Sequence, residues 1–116
     1  MMSELAEAWL IAGLDDWVPL RAIDGMARRC YASLDAEARR RQVIEVLGAL
    51  LGGGLVEVGE VADGGFFALG VEPAVSLARV ERVYGSGDED QWGFLLWTNN
   101  TPLGGEVARG CARSRQ

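Results

Sequence analysis

Three consecutive glycines, Gly52-Gly53-Gly54, separate two segments whose hydrophobic residues follow different periods. Residues 36–51 before them carry apolar side chains at helical spacing, and Ser33 or Asp35 opens this helix as a cap. Glycine accepts the left-handed conformation that often ends a helix, so the run predicts a helix-to-strand junction. The hairpin predicted after it has a strand at 55–61, an Asp-Gly turn at 62–65 and a return strand at 66–69.

Local signals define the remaining elements of a single α+β domain over residues 1–116. Ser3 caps a first helix that Gly13 ends, and Thr101 followed by Pro102 opens the last one. The apolar run at 92–97 predicts a buried strand, and Asn99-Asn100 predicts a turn after it. The other predicted elements are an extended piece at 17–20, helices at 20–31, 73–84 and 102–112, and a frayed tail at 113–116.

This order of elements resembles a winged helix-turn-helix. The resemblance covers about residues 3–69, and its most specific part is Leu47-x-x-Leu50-Leu51-Gly-Gly-Gly-Leu55-Val56-x-Val58. It implies a three-helix core with a β-hairpin wing, to which the chain adds a C-terminal helix, strand and helix. The remainder, with Trp97-Thr-Asn-Asn-Thr-Pro102, resembles small uncharacterised actinobacterial proteins.

The resemblance implies DNA binding through the third helix. Carried over, it places Arg39, Arg40 and Arg41 near the start of the reading helix, where base edges and phosphates are contacted. The predicted wing opposes this interpretation, because residues 55–70 contain three acidic side chains and no arginine. An acidic wing beside a phosphate backbone weakens binding. The alternative interpretation makes the three arginines the solvated face of an amphipathic helix.

The chain contains no histidine, and all eleven of its basic residues are arginine. Histidine is the commonest general base at neutral pH and the commonest metal ligand, so its absence removes Ser–His and Cys–His nucleophile pairs. No recognisable motif places a pair of carboxylates for acid–base work. We therefore expect a protein that is not an enzyme and that needs no cofactor or metal.

An acidic loop is the candidate site for a partner. Asp88, Glu89 and Asp90 are consecutive and diverge too much to hold a hard cation without further ligands. Trp92 follows them, and an exposed tryptophan beside an acidic loop suits an interface, although core positions are the usual place for tryptophan. Trp17 and Trp97 leave the same two alternatives open.

Net charge supports a hypothesis about the partner. The formal charge of −6 repels nucleic acid and anionic membranes, and it suits a basic protein. We therefore expect a protein-binding module of the immunity-protein or antitoxin kind that neutralises a basic partner. The alternative is a winged-helix transcriptional regulator that binds DNA. The apolar first and last helices also permit a homodimer.

The two cysteines, Cys30 and Cys111, lack the spacing of a zinc or disulfide motif. We expect both thiols to be reduced and Cys30 to be buried on the apolar side of the second helix. Residues 1–7 lack the basic and apolar regions of a signal peptide, and the longest uncharged stretch, 46–56, is too short to cross a bilayer. These features predict a cytoplasmic protein without contact to a membrane.

Overall fold

The computed structural model describes residues 2–115, which form six helices and four strands of an α+β fold. In chain order the elements are α1 (Glu4–Ala12), β1 (Val18–Pro19), α2 (Leu20–Cys30), α3 (Ala36–Gly52), β2 (Val56–Ala62), β3 (Gly65–Ala68), α4 (Pro73–Val83), α5 (Glu89–Trp92), β4 (Trp97–Asn100) and α6 (Pro102–Ser114).

The predicted helix caps are confirmed. The Ser3 hydroxyl accepts the backbone N–H of Ala6, and the Asp35 carboxylate, one of two candidates for its helix, accepts that of Ala38. The Thr101 hydroxyl accepts the N–H of Gly104 at 3.0 Å. Each cap satisfies an N–H that has no partner inside its helix, so the starting point of the helix follows from local sequence.

The predicted strand at 92–97 is wrong, and so is the turn at Asn99-Asn100. Trp92 ends the short helix α5, whereas strand β4 runs through Trp97–Asn100. The side-chain amide of Asn99 donates to Glu57, and that of Asn100 donates to the backbone carbonyl of Leu10 at 2.8 Å. These distant acceptors hold both asparagines in a strand, overriding their local preference for turns.

The sheet is antiparallel throughout, in the order β1-β4-β2-β3. Strand β4 lies between β1 and β2, so the predicted hairpin is half of a four-stranded sheet. Val18 and Val58 both pair with Thr98, and all three side chains are buried on one face. Because successive residues of a strand point to opposite faces, Trp97 and its partner Gly59 belong to the other face.

Helices α1, α2 and α3 form a layer over the buried face of the sheet, with α4, α5 and α6 packed on α3, α2 and α1 respectively. The indole N–H of Trp9 in α1 donates to the hydroxyl of Thr98 at 2.8 Å. Both groups are buried, so this bond joins the helical layer to the sheet without leaving a polar atom unpaired. The largest fully buried side chains are Leu5, Trp9, Leu10, Ile23, Asp24, Val43 and Leu47.

Helix α6 packs along α1, so the apolar faces of the first and last helices contact each other within one chain. These faces, which were thought to permit a homodimer, are therefore already covered within one chain. Helix α6 continues to Ser114, and Arg113, which was expected in a frayed tail, is helical. Gln116, also placed in that tail, lies outside the described residues. No helix within residues 2–115 is both long enough and apolar enough to cross a bilayer.

The first turn of α6 approaches the end of α3 and its following loop closely. Thr101 donates through its backbone N–H to the carbonyl of Leu55 at 3.0 Å, and through its hydroxyl to the carbonyl of Gly54 at 2.6 Å. A methyl group at Gly104 would overlap the Leu55 carbonyl oxygen. At Gly105 the nearest atom to such a methyl group is the Arg109 guanidinium, 3.4 Å away. Only Gly104 therefore requires glycine for this contact.

We expect Gly104→Ala to lower the free energy of unfolding by about 3 kcal/mol, because backbone atoms on both sides must move to admit the methyl group. Gly105→Ala is the matched control at the next helical position. It should change stability by about 1 kcal/mol at most, and in the stabilising direction, because alanine has the higher helix propensity. Urea unfolding followed by tryptophan fluorescence measures both. Equal effects of the two substitutions would contradict the proposed close approach.

Candidate functional site

Asp88, Glu89 and Asp90 lie at the start of α5 and are partly neutralised by arginines of α2. The Asp88 carboxylate accepts the backbone N–H of Asp90 and caps the helix. Arg21 Nη1 lies 3.3 Å from Asp90 Oδ1, and its Nε lies 4.0 Å from Glu89 Oε1. Arg28 Nη2 lies 3.9 Å from the same Glu89 oxygen. Because 77% of the Asp90 side chain remains exposed, this acidic turn still presents negative charge to solvent.

Trp92 was a candidate partner-binding residue beside the acidic loop, with a core position as the alternative, and the structure places it in the core. Only 3% of Trp92 is exposed. Its ring packs against Tyr84 with the centroids 5.1 Å apart, and the Arg40 guanidinium lies 6.0 Å from its centre. The helical turn of α5 directs this side chain inward, so Trp92 belongs to the core and is not available to a partner.

The buried carboxylate of Asp24 is the centre of a polar network that connects three helices. Asp24 lies on α2 and is 1% exposed. It accepts hydrogen bonds from Arg39 Nε of α3 and Arg28 Nε of its own helix, each at 3.1 Å, and from the hydroxyl of Tyr84 at the end of α4. Both carboxylate oxygens are therefore paired, as a buried charge requires.

The surroundings of Asp24 have opposite effects on its acidity. Burial raises the pKa of the carboxyl, but the hydrogen bonds from Tyr84 and Arg39 and the positive charges of Arg39 and Arg28 outweigh burial and lower it overall. Burial, followed by the hydrogen bond to Asp24 and the charge of Asp24, raises the pKa of Tyr84 well above its ordinary value. Asp24 is thus held ionised and Tyr84 neutral across the physiological range.

The three consecutive arginines of α3 have three different environments. Arg39 is buried, 9% exposed, and paired with Asp24, so it belongs neither to a DNA-reading surface nor to a solvated helix face. Arg40 is half-buried, with its guanidinium carbon 5.5 Å from the centre of the Tyr84 ring. Arg41 is exposed and pairs with Glu37 one turn earlier. Helical geometry spreads consecutive residues around the axis, which is why the run does not form one positive cluster.

A groove of about 730 Å³ runs between α3 and α4. Its charged lining combines three glutamates with two arginines, so it does not concentrate one sign of charge. Within residues 2–115 the Nε atom of Arg40 is buried without a hydrogen-bond partner. The lining residues are Glu37, Arg40, Arg41, Ile44, Glu45, Glu81 and Tyr84.

The face of the sheet opposite the helical layer carries a cluster of aromatic side chains. Phe66 lies over Gly59, since its Cζ is 2.6 Å from where a Cβ of Gly59 would be. The ring centres of Trp17 and Phe66 are 6.3 Å apart, and those of Phe94 and Trp97 are 6.0 Å apart. We call Trp17, Phe66, Phe94 and Trp97 the aromatic face. Three of the four are half-buried, and Phe94 is 46% exposed.

Acidic residues surround the aromatic face. Asp16 precedes Trp17, Asp63 lies in the turn between β2 and β3, and Glu57 points to the same side of the sheet as Trp97. Beyond Phe94, Arg21 stacks on the phenyl ring at 5.7 Å and contacts the acidic turn. The surface is thus aromatic at its centre and mostly acidic at its edge.

Both cysteines of the chain are free and lie among the described residues. Cys30, expected to be buried, is half-buried, and burial together with the charge of Glu4 raises its pKa. A thiol with a raised pKa is a poorer nucleophile at neutral pH. Cys111 is also half-buried. Within residues 2–115 no three His, Cys, Asp or Glu side chains converge as metal ligands would.

Comparison of the chain with protein-family models, with curated proteins and with solved structures finds no match.

Sequence reasoning missed both Asp24 and the aromatic face. A signal for Asp24 exists, because it lies four residues after Leu20 and three before Ala27, within the apolar stripe of α2. A carboxylate in such a stripe must find buried partners. No comparable signal exists for the aromatic face, because Trp17 and Phe66 are distant in sequence and meet only once β4 joins the two ends of the sheet.

We expect Tyr84→Phe to lower the free energy of unfolding at pH 7 by about 2 kcal/mol, since it removes a hydrogen bond to a buried charge. The lowered pKa of Asp24 stabilises the fold above the pKa of its unfolded state, and this contribution is lost as pH falls through the folded value. Without the Tyr84 hydroxyl the pKa of Asp24 in the folded state rises. The loss of unfolding free energy caused by Tyr84→Phe should therefore shrink below about pH 4. Urea unfolding from pH 7 downward measures this.

Tyr31→Phe is the matched control for this prediction. Tyr31 is half-buried at the end of α2, and its hydroxyl has no hydrogen-bond partner among the described residues. Its removal should leave stability within about 0.5 kcal/mol and should not change the dependence on pH. If Tyr84→Phe lowers the free energy of unfolding by the same amount in acid as at pH 7, the hydrogen bond to ionised Asp24 is not the cause of the loss.

Proposed function

We propose that this chain is a non-enzymatic protein-binding module that holds a basic protein partner against the aromatic face and its acidic surroundings. The observation that supports the proposal is the combination of half-exposed aromatic side chains and surrounding carboxylates on the side of the sheet away from the helices. The partner-binding residues are Trp17, Phe66, Phe94 and Trp97, with the acidic turn Asp88, Glu89 and Asp90 at one margin.

The aromatic residues supply the energy of binding in this proposal. Tryptophan and other aromatic residues are enriched among the few interface side chains that dominate affinity. Phe94 and its neighbour Leu95, 53% exposed, offer apolar area that a partner can remove from water. Trp97 is already fixed, because its indole N–H donates to the carbonyl of Phe94 at 3.0 Å. A fixed ring loses little conformational entropy on binding.

The acidic residues determine which partner binds. With Asp16, Glu57 and Asp63 on one side and the acidic turn on the other, the surface attracts lysine and arginine side chains. Complementary charge of this kind speeds association and excludes acidic competitors. Cations can also lie over the exposed faces of the aromatic rings, as Arg21 already does over Phe94.

An immunity protein or antitoxin is the kind of module that these features fit best. A toxin that acts on nucleic acid needs a basic surface, and an acidic inhibitor can occupy that surface in place of the phosphates. In this proposal a winged-helix-like core of α1, α2 and α3 serves as the scaffold and does not contact DNA. The burial of Arg39 and the pairing of Arg41 with Glu37 favour this reading over a DNA-binding regulator.

We expect the tagged chain to retain a basic protein in stoichiometric amount at moderate salt. The double variant Phe94→Ala/Leu95→Ala should release that purified partner at least about tenfold faster, because it removes apolar contacts at the centre of the interface. Raising the salt concentration should slow association for the wild type and the variant alike, because screening weakens the attraction between opposite charges. Real-time binding to the immobilised chain separates the two rates.

Leu103→Ala is the matched control, since Leu103 is 50% exposed on α6, outside the aromatic face. It should bind the partner as the wild type does. Unchanged dissociation from the double variant would exclude the aromatic face as the binding surface. Retention of nuclease-sensitive DNA instead of a protein would favour the DNA-binding alternative. If a protein partner is retained, toxin neutralisation can be tested directly, by asking whether co-expression of this chain restores the growth of cells that express the partner.

A further inference from the structure

Strand β3 (Gly65–Ala68) is the last strand of the sheet and has a neighbour on one side only. Its partner β2 pairs Val61 with Phe66 and Glu60 with Phe67. Leu69 donates its backbone N–H to Val58 at 3.0 Å, so residues of the same parity, such as Phe67, direct their backbone groups towards β2. The N–H and C=O of Phe66 and Ala68 therefore point away from the sheet.

The side chains along this edge are apolar and accessible. Phe67 is 56% exposed, Ala68 is also exposed, and Val71 just beyond the strand is 48% exposed. Residues 64–71 contain no charged residue in a chain of which 24% is charged. Proteins commonly protect an edge strand with lysine, proline or an inward-pointing charge, and β3 carries none of these, so only its length of four residues limits pairing at this edge.

We propose that the β3 edge binds the β3 edge of a second copy of this chain in antiparallel register, forming a dimer with a continuous eight-stranded sheet. Centred on Phe67, the pairing brings Phe66 opposite Ala68 of the second copy and Ala68 opposite its Phe66. The four outward N–H and C=O groups of each strand then form hydrogen bonds. The two Phe67 side chains meet at the closely spaced position, where aromatic pairs stabilise a sheet.

The backbone pattern of β3 favours a second copy as the occupant, because the outward groups of Phe66 and Ala68 lie symmetrically about Phe67 and complement those of an identical antiparallel strand. Two chains with a net charge of −6 repel each other overall, and this repulsion is weakest where the surface lacks charged groups. The segment 64–71 is such a part. Glu60, directly opposite Phe67 on β2, has Arg79 of α4 at 4.0 Å, which partly offsets its charge. A strand that pairs with its own copy about a two-fold axis also needs no other sequence to complement it.

The dimer uses the backbone of Phe66, whose side chain belongs to the aromatic face, but the side chain that tests the dimer, Phe67, does not belong to that face. Phe67 points to the side of the sheet that faces the helices, because it pairs with Glu60, whereas Phe66 and Trp97 point to the other side. Substitution of Phe67 therefore leaves the aromatic face unchanged. The two associations also respond to salt in opposite directions, since screening weakens attraction to a basic partner and reduces repulsion between like-charged copies.

Sedimentation equilibrium of the full chain over a range of concentrations tests the proposal. We expect the wild type to dimerise, and more tightly at higher salt. Phe67→Lys and Phe67→Glu should each raise the dissociation constant of the dimer at least about tenfold, because like charges then face each other across the two-fold axis. An equimolar mixture of the two variants should recover a heterodimer, because the facing charges are then opposite. Amide hydrogen exchange of Phe66 and Ala68 should slow as the wild type dimerises.

The control is Leu103→Lys, which adds the same charge at a leucine that is 50% exposed on α6. It should dimerise as the wild type does, and circular dichroism should show that every variant is folded. A wild type that stays monomeric up to about 1 mM would overturn the proposal, since that corresponds to a very weak association. Dimers of Phe67→Lys as tight as those of the wild type would overturn it as well.

Discussion

The ionised carboxylate of Asp24 connects three helices, α2, α3 and α4. It lies on α2, accepts hydrogen bonds from Arg39 of α3 and Tyr84 at the end of α4, and is almost completely buried. A buried charge with one partner missing destabilises a fold strongly, so the three helices have to occupy positions that keep every partner in reach. Tyr84 also contacts Trp92, so the same network fixes α5.

This network determines what remains available on the surface. Arg39 and Arg28 form ion pairs with Asp24 and are not free to bind an anionic partner. Arg40 packs against the rings of Tyr84 and Trp92. Arg39 and Arg40, two of the three arginines in the longest run of positive charge, therefore pack against the interior, whereas Arg41 stays exposed. The carboxylates are distributed differently: Asp16, Asp63 and Asp90 remain exposed, and the protein presents a mainly negative surface. That difference supports the proposed acidic protein-binding module over the DNA-binding alternative.

The sheet separates a face that is covered by helices from a face that stays accessible to solvent. One face is covered by helices and contains the bond between Trp9 and Thr98. The other face keeps Trp17, Phe66 and Trp97 only half-buried. Large apolar patches left in contact with water commonly mark an interaction site, which supports the proposed binding surface. The edge at β3 is a second exposed apolar feature, and its Phe67 side chain points to the opposite side of the sheet from Trp97.

The sequence by itself determined where α1, α3 and α6 begin, because each of their caps is a hydrogen bond between residues three apart. Ser3, Asp35 and Thr101 satisfy backbone groups of their own helices whatever the rest of the chain does. The hairpin of β2 and β3 is equally local, since its strands are joined by a short Asp-Gly turn.

Only the tertiary structure decided the position of β4, the burial of Trp92 and the existence of the aromatic face. Asn100 reaches the carbonyl of Leu10, 90 residues earlier, and Trp9 reaches Thr98, 89 residues later. Such contacts form when distant segments meet, and they outweigh the local preferences of asparagine for turns and of an apolar run for strands. These long-range contacts bring together the aromatic residues of the candidate site. Local sequence patterns therefore indicated the negative charge beside the site but not the aromatic residues that form it.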